Sequence, residues 1–304
     1  MKTLQALVKR EFWEHRGSML KTPIVMALFF AFIMVLTSVT GNYFIMSMDG
    51  GYDYSDGLSK LFSNIDNLDY RDVYKVINIA LYAPISIFGF VMLLISFSYA
   101  VGCLYDERKD KSILFWKSLP ISDLNTVLSK IIAVGILIPT LYFVAVALFQ
   151  IFILLFSTVV FWFYGNSGII LWQSSNLFFV IFNSFMTLLI TSLWLAPFWS
   201  WLMLASSWAK KSAYLWAILP IFLLTIVEGW ITHSNRLFVF LWDRVYAAFN
   251  ILNSNIIDTA VSSTSNRLSI WSSMLFSTEF LAGVLLSAVF LSVSIIVRRY
   301  RNEY

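Results

Sequence analysis

Residues 23–36 read PIVMALFFAFIMVL, 14 consecutive positions without a polar side chain. A lipid-facing β-strand would alternate apolar and polar residues over about 10 positions, and this stretch does not alternate. A helix satisfies its own backbone hydrogen bonds, so it is the element such a run can form inside a bilayer. The same logic extends along the chain. From Ile131 to Ala209 there is no Asp, Glu, Lys, Arg or His. A span needs about 20 apolar residues, and no soluble core of this size would tolerate such a run.

Composition agrees: 59% of the 304 residues are hydrophobic and 12% are charged, against about 25% charged in an ordinary soluble domain. The expectation is an all-α, polytopic membrane protein forming one transmembrane domain over residues 1–304. Six spans are predicted at about 23–46, 79–104, 131–157, 177–207, 212–231 and 275–297. The fourth is longer than a span needs and is expected to bend at Pro197 or to begin in the interface. Pro84, Pro139 and Pro220 fall inside other spans, where neighbouring helices and hydroxyl side chains can satisfy the carbonyls that proline frees.

Orientation follows from the basic residues. One side collects Lys2, Lys9, Arg10, Arg16, Lys21, Arg108, Lys109, Lys111, Lys117, Lys130, Lys210, Lys211, Arg298, Arg299 and Arg301, which is 15 of 21. The other side holds Lys60, Arg71 and Lys75 among six aspartates, then Arg236, Arg244 and Arg267. Both termini are therefore expected in the cytoplasm. The net charge of +4 lies where a membrane topology puts it and needs no nucleic-acid partner. Residues 1–21 place a charged segment before the first apolar run with no small-x-small site after it, so the first span is expected to be retained. In that segment Leu4, Leu7, Val8 and Phe12 form an apolar stripe suited to an interfacial helix, and Glu11 and His15 interrupt it.

The loop between spans two and three, within residues 105–130, contains YDERKDKSILFWKSLPIS over Tyr105–Ser122. Its charged half is solvated, but Ile113, Leu114, Phe115 and Trp116 must be covered by membrane, by the protein itself or by a partner. Pro120 limits a short helix there, and Ser122 or Asp123 can cap the helix leading into span three. The segments on the opposite side are residues 47–78 and 232–274. The second contains RLFVFLWDRVYAAF, apolar enough for a helix that dips into the outer leaflet or lies on it. Glu228 and Glu279 lie roughly 25–29 Å from the cytoplasmic flanks on consecutive spans, either at the mouth of a pathway or solvated at the interface. An ion-coupled carrier would place its carboxylate at the midplane instead.

The chain shows no phosphate-binding loop, no H-E-x-x-H, no G-x-S-x-G and no histidine inside a span. It is not expected to be an enzyme by itself. Cys103 is the single cysteine, and His15 and His233 are too far apart in sequence to suggest a metal cluster.

With these features together, the chain resembles the membrane subunits of type-2 ATP-binding-cassette (ABC) exporters, six-span bacterial permeases whose ATPase is a separate polypeptide. The inner-surface helix of that family carries a basic–acidic–aromatic signature, matched by KREFWE at Lys9–Glu14. Its loop between spans two and three runs from an acidic–basic pair through Gly-Thr to LPIS and a later Lys. Here Glu107–Arg108, Leu119–Ser122 and Lys130 match, and Lys111-Ser112 stands in place of Gly-Thr. The resemblance implies a dimer of permeases, most simply a homodimer, in the bacterial inner membrane, with ATP and Mg bound by the ATPase subunit and no cofactor in this chain. It implies a coupling element from Glu107 to Pro120, with Arg108, Ile113, Leu114, Phe115, Trp116 and Leu119 within it, seated in the ATPase. It also implies a lid around 236–250. The alternative is an ion-driven secondary transporter with no ATPase partner.

Overall fold

The computed structural model describes residues 2–40, 70–118, 121–163, 167–257 and 271–300. Most of the 47–78 segment, Leu119, Pro120 and residues 258–270 of the last outer segment lie outside the described residues. Among those described, every regular element is helical.

α1 is Lys2–Glu14, followed by a π-helical turn at Gly17–Lys21 and by α2, Thr22–Thr40. α3 (Tyr70–Gly102) leads into two short helices, α4 (Tyr105–Lys109) and α5 (Ser112–Ser118). α6 (Asp123–Ile132) continues through a second π turn, Ala133–Leu137, into α7, Ile138–Phe163. Then come α8 (Ile169–Ser175), α9 (Leu177–Trp194), α10 (Ala196–Trp208), α11 (Ala213–Thr232), α12 (Arg236–Ile257) and α13 (Thr278–Tyr300). Among the described residues, six helical segments are long and apolar enough to cross a membrane: Gly17–Ser38, Val76–Lys109, Asp123–Phe163, Leu177–Trp194, Ala213–Thr232 and Thr278–Tyr300. The protein is thus a multi-pass helical membrane protein, with spans close to those expected.

Proline shapes several of these helices. The second π turn sits immediately before Pro139. In a regular α-helix the Pro139 ring would meet the Gly135 carbonyl, and the wider turn relieves that contact. The expected span at 177–207 is two helices that meet at Leu195, because Pro197 has no N–H to continue the ladder. Inside α3, Pro84 likewise withholds an N–H. Nearby, Gln150 Nε2 of α7 donates to the Leu81 carbonyl at 2.9 Å and to Ser184 Oγ of α9 at 2.8 Å. These bonds hold the three central helices together where no water can substitute. Around them a ladder of rings joins Phe30, Phe88, Phe149, Phe152 and Phe156 at centroid spacings of 5.8 to 6.4 Å.

The C-terminal half of α12 packs into the bundle, while Phe238, Phe240, Trp242 and Tyr246 of its first half stay exposed. The packed half inserts against α3 and α9, where Ser86 Oγ donates to the Leu252 carbonyl at 2.9 Å and Phe90 meets Phe249 at 6.2 Å. Ala248 and Leu252 are buried as a result.

Candidate functional site

The charged end of the bundle joins α1, α3 to α6 and α13 through side chains that the sequence scatters across nearly 290 positions. Glu11 on α1 is fully buried. Its Oε1 receives Lys130 Nζ at 3.0 Å and Arg10 Nη2 at 2.6 Å, and its Oε2 receives the Tyr99 hydroxyl at 2.6 Å. Glu107, in the middle of α4, accepts from Arg10 Nη2 at 2.8 Å and from Arg298 Nη1 at 2.8 Å, with Lys130 Nζ at 3.0 Å. Arg298 Nε also donates to Asp123 Oδ1 at 3.0 Å. Three cations thus meet these three carboxylates, with the more exposed Glu14 3.4 Å from Arg10 Nε at the edge, so the buried part of the cluster is close to neutral. That balance is what makes its burial tolerable, because an unpaired charge in such a site costs several kcal/mol.

Burial opposes ionisation of Glu11, but Lys130, the Tyr99 hydroxyl and Arg10 outweigh it and hold its pKa below the ordinary value of 4.5. Burial also works against the Arg10 guanidinium, and Glu11, Glu107 and Glu14 overcome that and raise its pKa. Glu11, Glu14 and His15 bring ligand-type atoms within 4.8 Å of one another. The Glu11 oxygens already serve three donors, so the arrangement is an ion-pair junction rather than a ligand set. Beside it lies a cavity of about 380 Å³, bordered by Glu14, His15, Asp106, Asp110, Phe115 and Trp116.

The loop expected to meet a partner is built onto this junction. Lys111 takes a left-handed φ of 56° between α4 and α5. Ser122 caps α6, its Oγ accepting from Asn125 N at 3.3 Å. Arg108 donates to the carbonyls of Ser206 and, at 3.1 Å, Ala209, while Ser206 Oγ accepts from the N–H groups of Leu104 and Tyr105. The α10–α11 corner therefore fixes α4. The four apolar residues of α5 divide. Ile113 is 2% exposed and turns into the protein, whereas Leu114 and Phe115 are 59% and 60% exposed. Trp116 packs under Arg10, whose guanidinium carbon is 4.1 Å from the ring centroid.

Glu228 and Glu279 are not brought together through their carboxylates. Glu228 Oε2 accepts from Leu237 N at 2.8 Å and so caps α12, while Glu279 offers its backbone carbonyl to Arg244 Nη1 at 3.2 Å. In the sequence Glu107 and the Lys9–Glu14 signature stand out, whereas Glu11 reads as an interruption of the apolar stripe and nothing local pairs it or Glu107 with Tyr99, Asp123 or Arg298. The available signal was depth: Glu107, Asp123, Lys130 and Arg298 all flank spans on the side where the basic residues gather. No family model matches this chain, and no curated protein or solved structure is significantly similar to it.

Proposed function

We propose that the chain is the membrane subunit of an ATP-driven exporter of the type-2 ABC kind, working as a pair of permeases with a separate ATPase that docks on α5. The observation carrying this reading is the division of α5. Leu114 and Phe115 face outward from a helix whose other large residues, Ile113 and Trp116, are held by the protein itself. An exposed apolar pair on a rigidly mounted helix suits a groove on a soluble partner. Through Trp116 and Arg10, anything that moves α5 acts on the junction that holds α1, α6 and α13. The left-handed Lys111 adds support, since it occupies the position where the resembled motif carries Gly, the residue that takes such a φ without penalty. In this reading the charged end and both termini face the cytoplasm.

Co-expression with a Walker-motif ATPase encoded beside this reading frame tests it. The two chains should co-purify in detergent, and Leu114→Asp with Phe115→Asp should abolish the complex while the permease remains monodisperse. Undiminished co-purification of the double variant would exclude α5 as the docking element.

A further inference from the structure

At the opposite end of the bundle, Arg244 of α12 lies where α9, α10 and α13 meet. The break at Leu195 explains two of its bonds. The N–H groups of Phe198 and Trp199 both turn to the Leu195 carbonyl, which leaves the Trp194 carbonyl outside the helix ladder. Arg244 Nε donates to that carbonyl at 3.1 Å, and Trp194 Nε1 returns a bond to the Arg244 carbonyl at 3.2 Å. Nη1 goes to the Glu279 carbonyl, and the guanidinium lies 4.9 Å from the Trp194 ring centroid. Gly283 makes the fit possible, because a Cβ there would overlap the guanidinium.

The positive charge has no direct counter-ion, since the Glu279 carboxylate attracts it only from beyond ion-pair distance. Nη2 is buried without a hydrogen-bond acceptor, and among the described residues no carboxylate forms an ion pair with Arg244. Backbone carbonyls satisfy donors but do not neutralise a cation in apolar surroundings. Arg244 also borders a cavity of about 130 Å³ whose other walls are apolar, among them Leu195, Pro197, Trp201, Leu224, Leu241 and Leu286. A fixed cation at the edge of an apolar cavity is complementary to one kind of molecule: an anionic headgroup carried on a hydrocarbon chain.

We infer that this is a binding site for an anionic acyl-chain amphiphile, its chain in the cavity and its carboxylate or phosphate oxygen on Arg244. The site stands independently of the ATPase reading, since neither residue nor cavity belongs to the charged end.

The test uses the full chain in phosphatidylcholine nanodiscs doped with diazirine-acyl phosphatidylglycerol or with diazirine-acyl phosphatidylcholine, and maps the labelled peptides by mass spectrometry. The anionic probe should label peptides from α11 and α12 about tenfold more than the zwitterionic probe, the factor that one charge-assisted hydrogen bond implies. Arg244→Gln should remove that preference, Arg244→Lys should keep most of it, and Leu241→Trp should block labelling by filling the cavity. Equal labelling by the two probes, or an unchanged preference in Arg244→Gln, would overturn the site. Should Arg244→Gln fail to fold, competition on the unaltered protein decides: excess unlabelled phosphatidylglycerol or oleate displaces the anionic probe and phosphatidylcholine does not. Displacement by phosphatidylglycerol alone identifies a membrane phospholipid as the source, and by oleate alone a free fatty acid. Displacement by none of them, or equally by phosphatidylcholine, would overturn it.

Discussion

The Arg10 guanidinium stands over the Trp116 ring at 4.1 Å while its Nη2 reaches Glu107 at 2.8 Å. One side chain thereby connects the exposed helix α5 to the buried ion-pair junction. A desolvated cation–π contact contributes about 2 kcal/mol, and an exposed one about half that. Trp116→Ala should lower thermal stability in detergent by an amount within this range, and Trp116→Phe by less. If α5 transmits force, both variants should also lower transport per ATP hydrolysed in the reconstituted complex while leaving co-purification intact. Unaltered coupling in Trp116→Ala would confine the contact to stability.

Lys130 is 1% exposed and is shared by Glu11 and Glu107 at 3.0 Å each. Removing it leaves Arg10 as the one cation shared by these two buried carboxylates. Lys130→Met should cost about 3–5 kcal/mol, the range for breaking a buried pair from one side. Glu11→Gln added to Lys130→Met removes the excess negative charge, so the double variant should be more stable than Lys130→Met alone. Thermal unfolding of the three proteins in one detergent checks the order.

Because its pKa is depressed on folding, Glu11 contributes stability that is fully present above the unfolded carboxylate value of 4.5. That contribution is lost as pH falls from there through the lower folded value. A pH series of melting temperatures should therefore fall below about pH 4.5. In Glu11→Gln that acid limb should be shallower, on a curve that starts lower at neutral pH. Parallel curves for the two proteins would show that other carboxylates carry the acid sensitivity.

Lys111 adopts φ 56° with a side chain attached. For an L-residue that conformation costs about 1–2 kcal/mol relative to the right-handed region, and Gly avoids the cost while giving up some chain entropy. Lys111→Gly should raise stability by about 1 kcal/mol. Lys111→Val should lower it, because a β-branched residue resists this backbone. The paired melting temperatures test the turn directly.

The parts of this molecule legible in its sequence are those set by local physics. Apolar length gave the spans, Pro197 gave the break between α9 and α10, and Ser122 gave the start of α6. The junction was hidden because its logic is tertiary. Glu11 looked like an interruption in the apolar stripe of α1 because its counter-ion, Lys130, lies 119 residues away. Arg298 and Asp123 are similarly separated by 175 residues. The depth of α12 was equally illegible, since its composition suits an interface and only Gly89 and Ser86 on another helix reveal where it goes.

Gly89 decides whether α12 can insert. A Cβ at this position would lie 2.5 Å from Leu252 Cδ2 and 3.3 Å from Leu188 Cδ2, so α3, α9 and α12 converge on a point that has no room for a side chain unless the leucines shift. The atoms it would strike are the movable ends of leucines, and Gly89→Ala should cost only about 1–3 kcal/mol as they shift. Gly89→Phe has no such accommodation, and it should displace α12 and break the bond from Ser86 to the Leu252 carbonyl. Limited proteolysis distinguishes the cases: cleavage within 236–257 should stay slow in the native protein and in Gly89→Ala, and become rapid in Gly89→Phe. Equal protection in all three would mean that α12 is held by its contacts with α9 and α13 and not by its fit against α3.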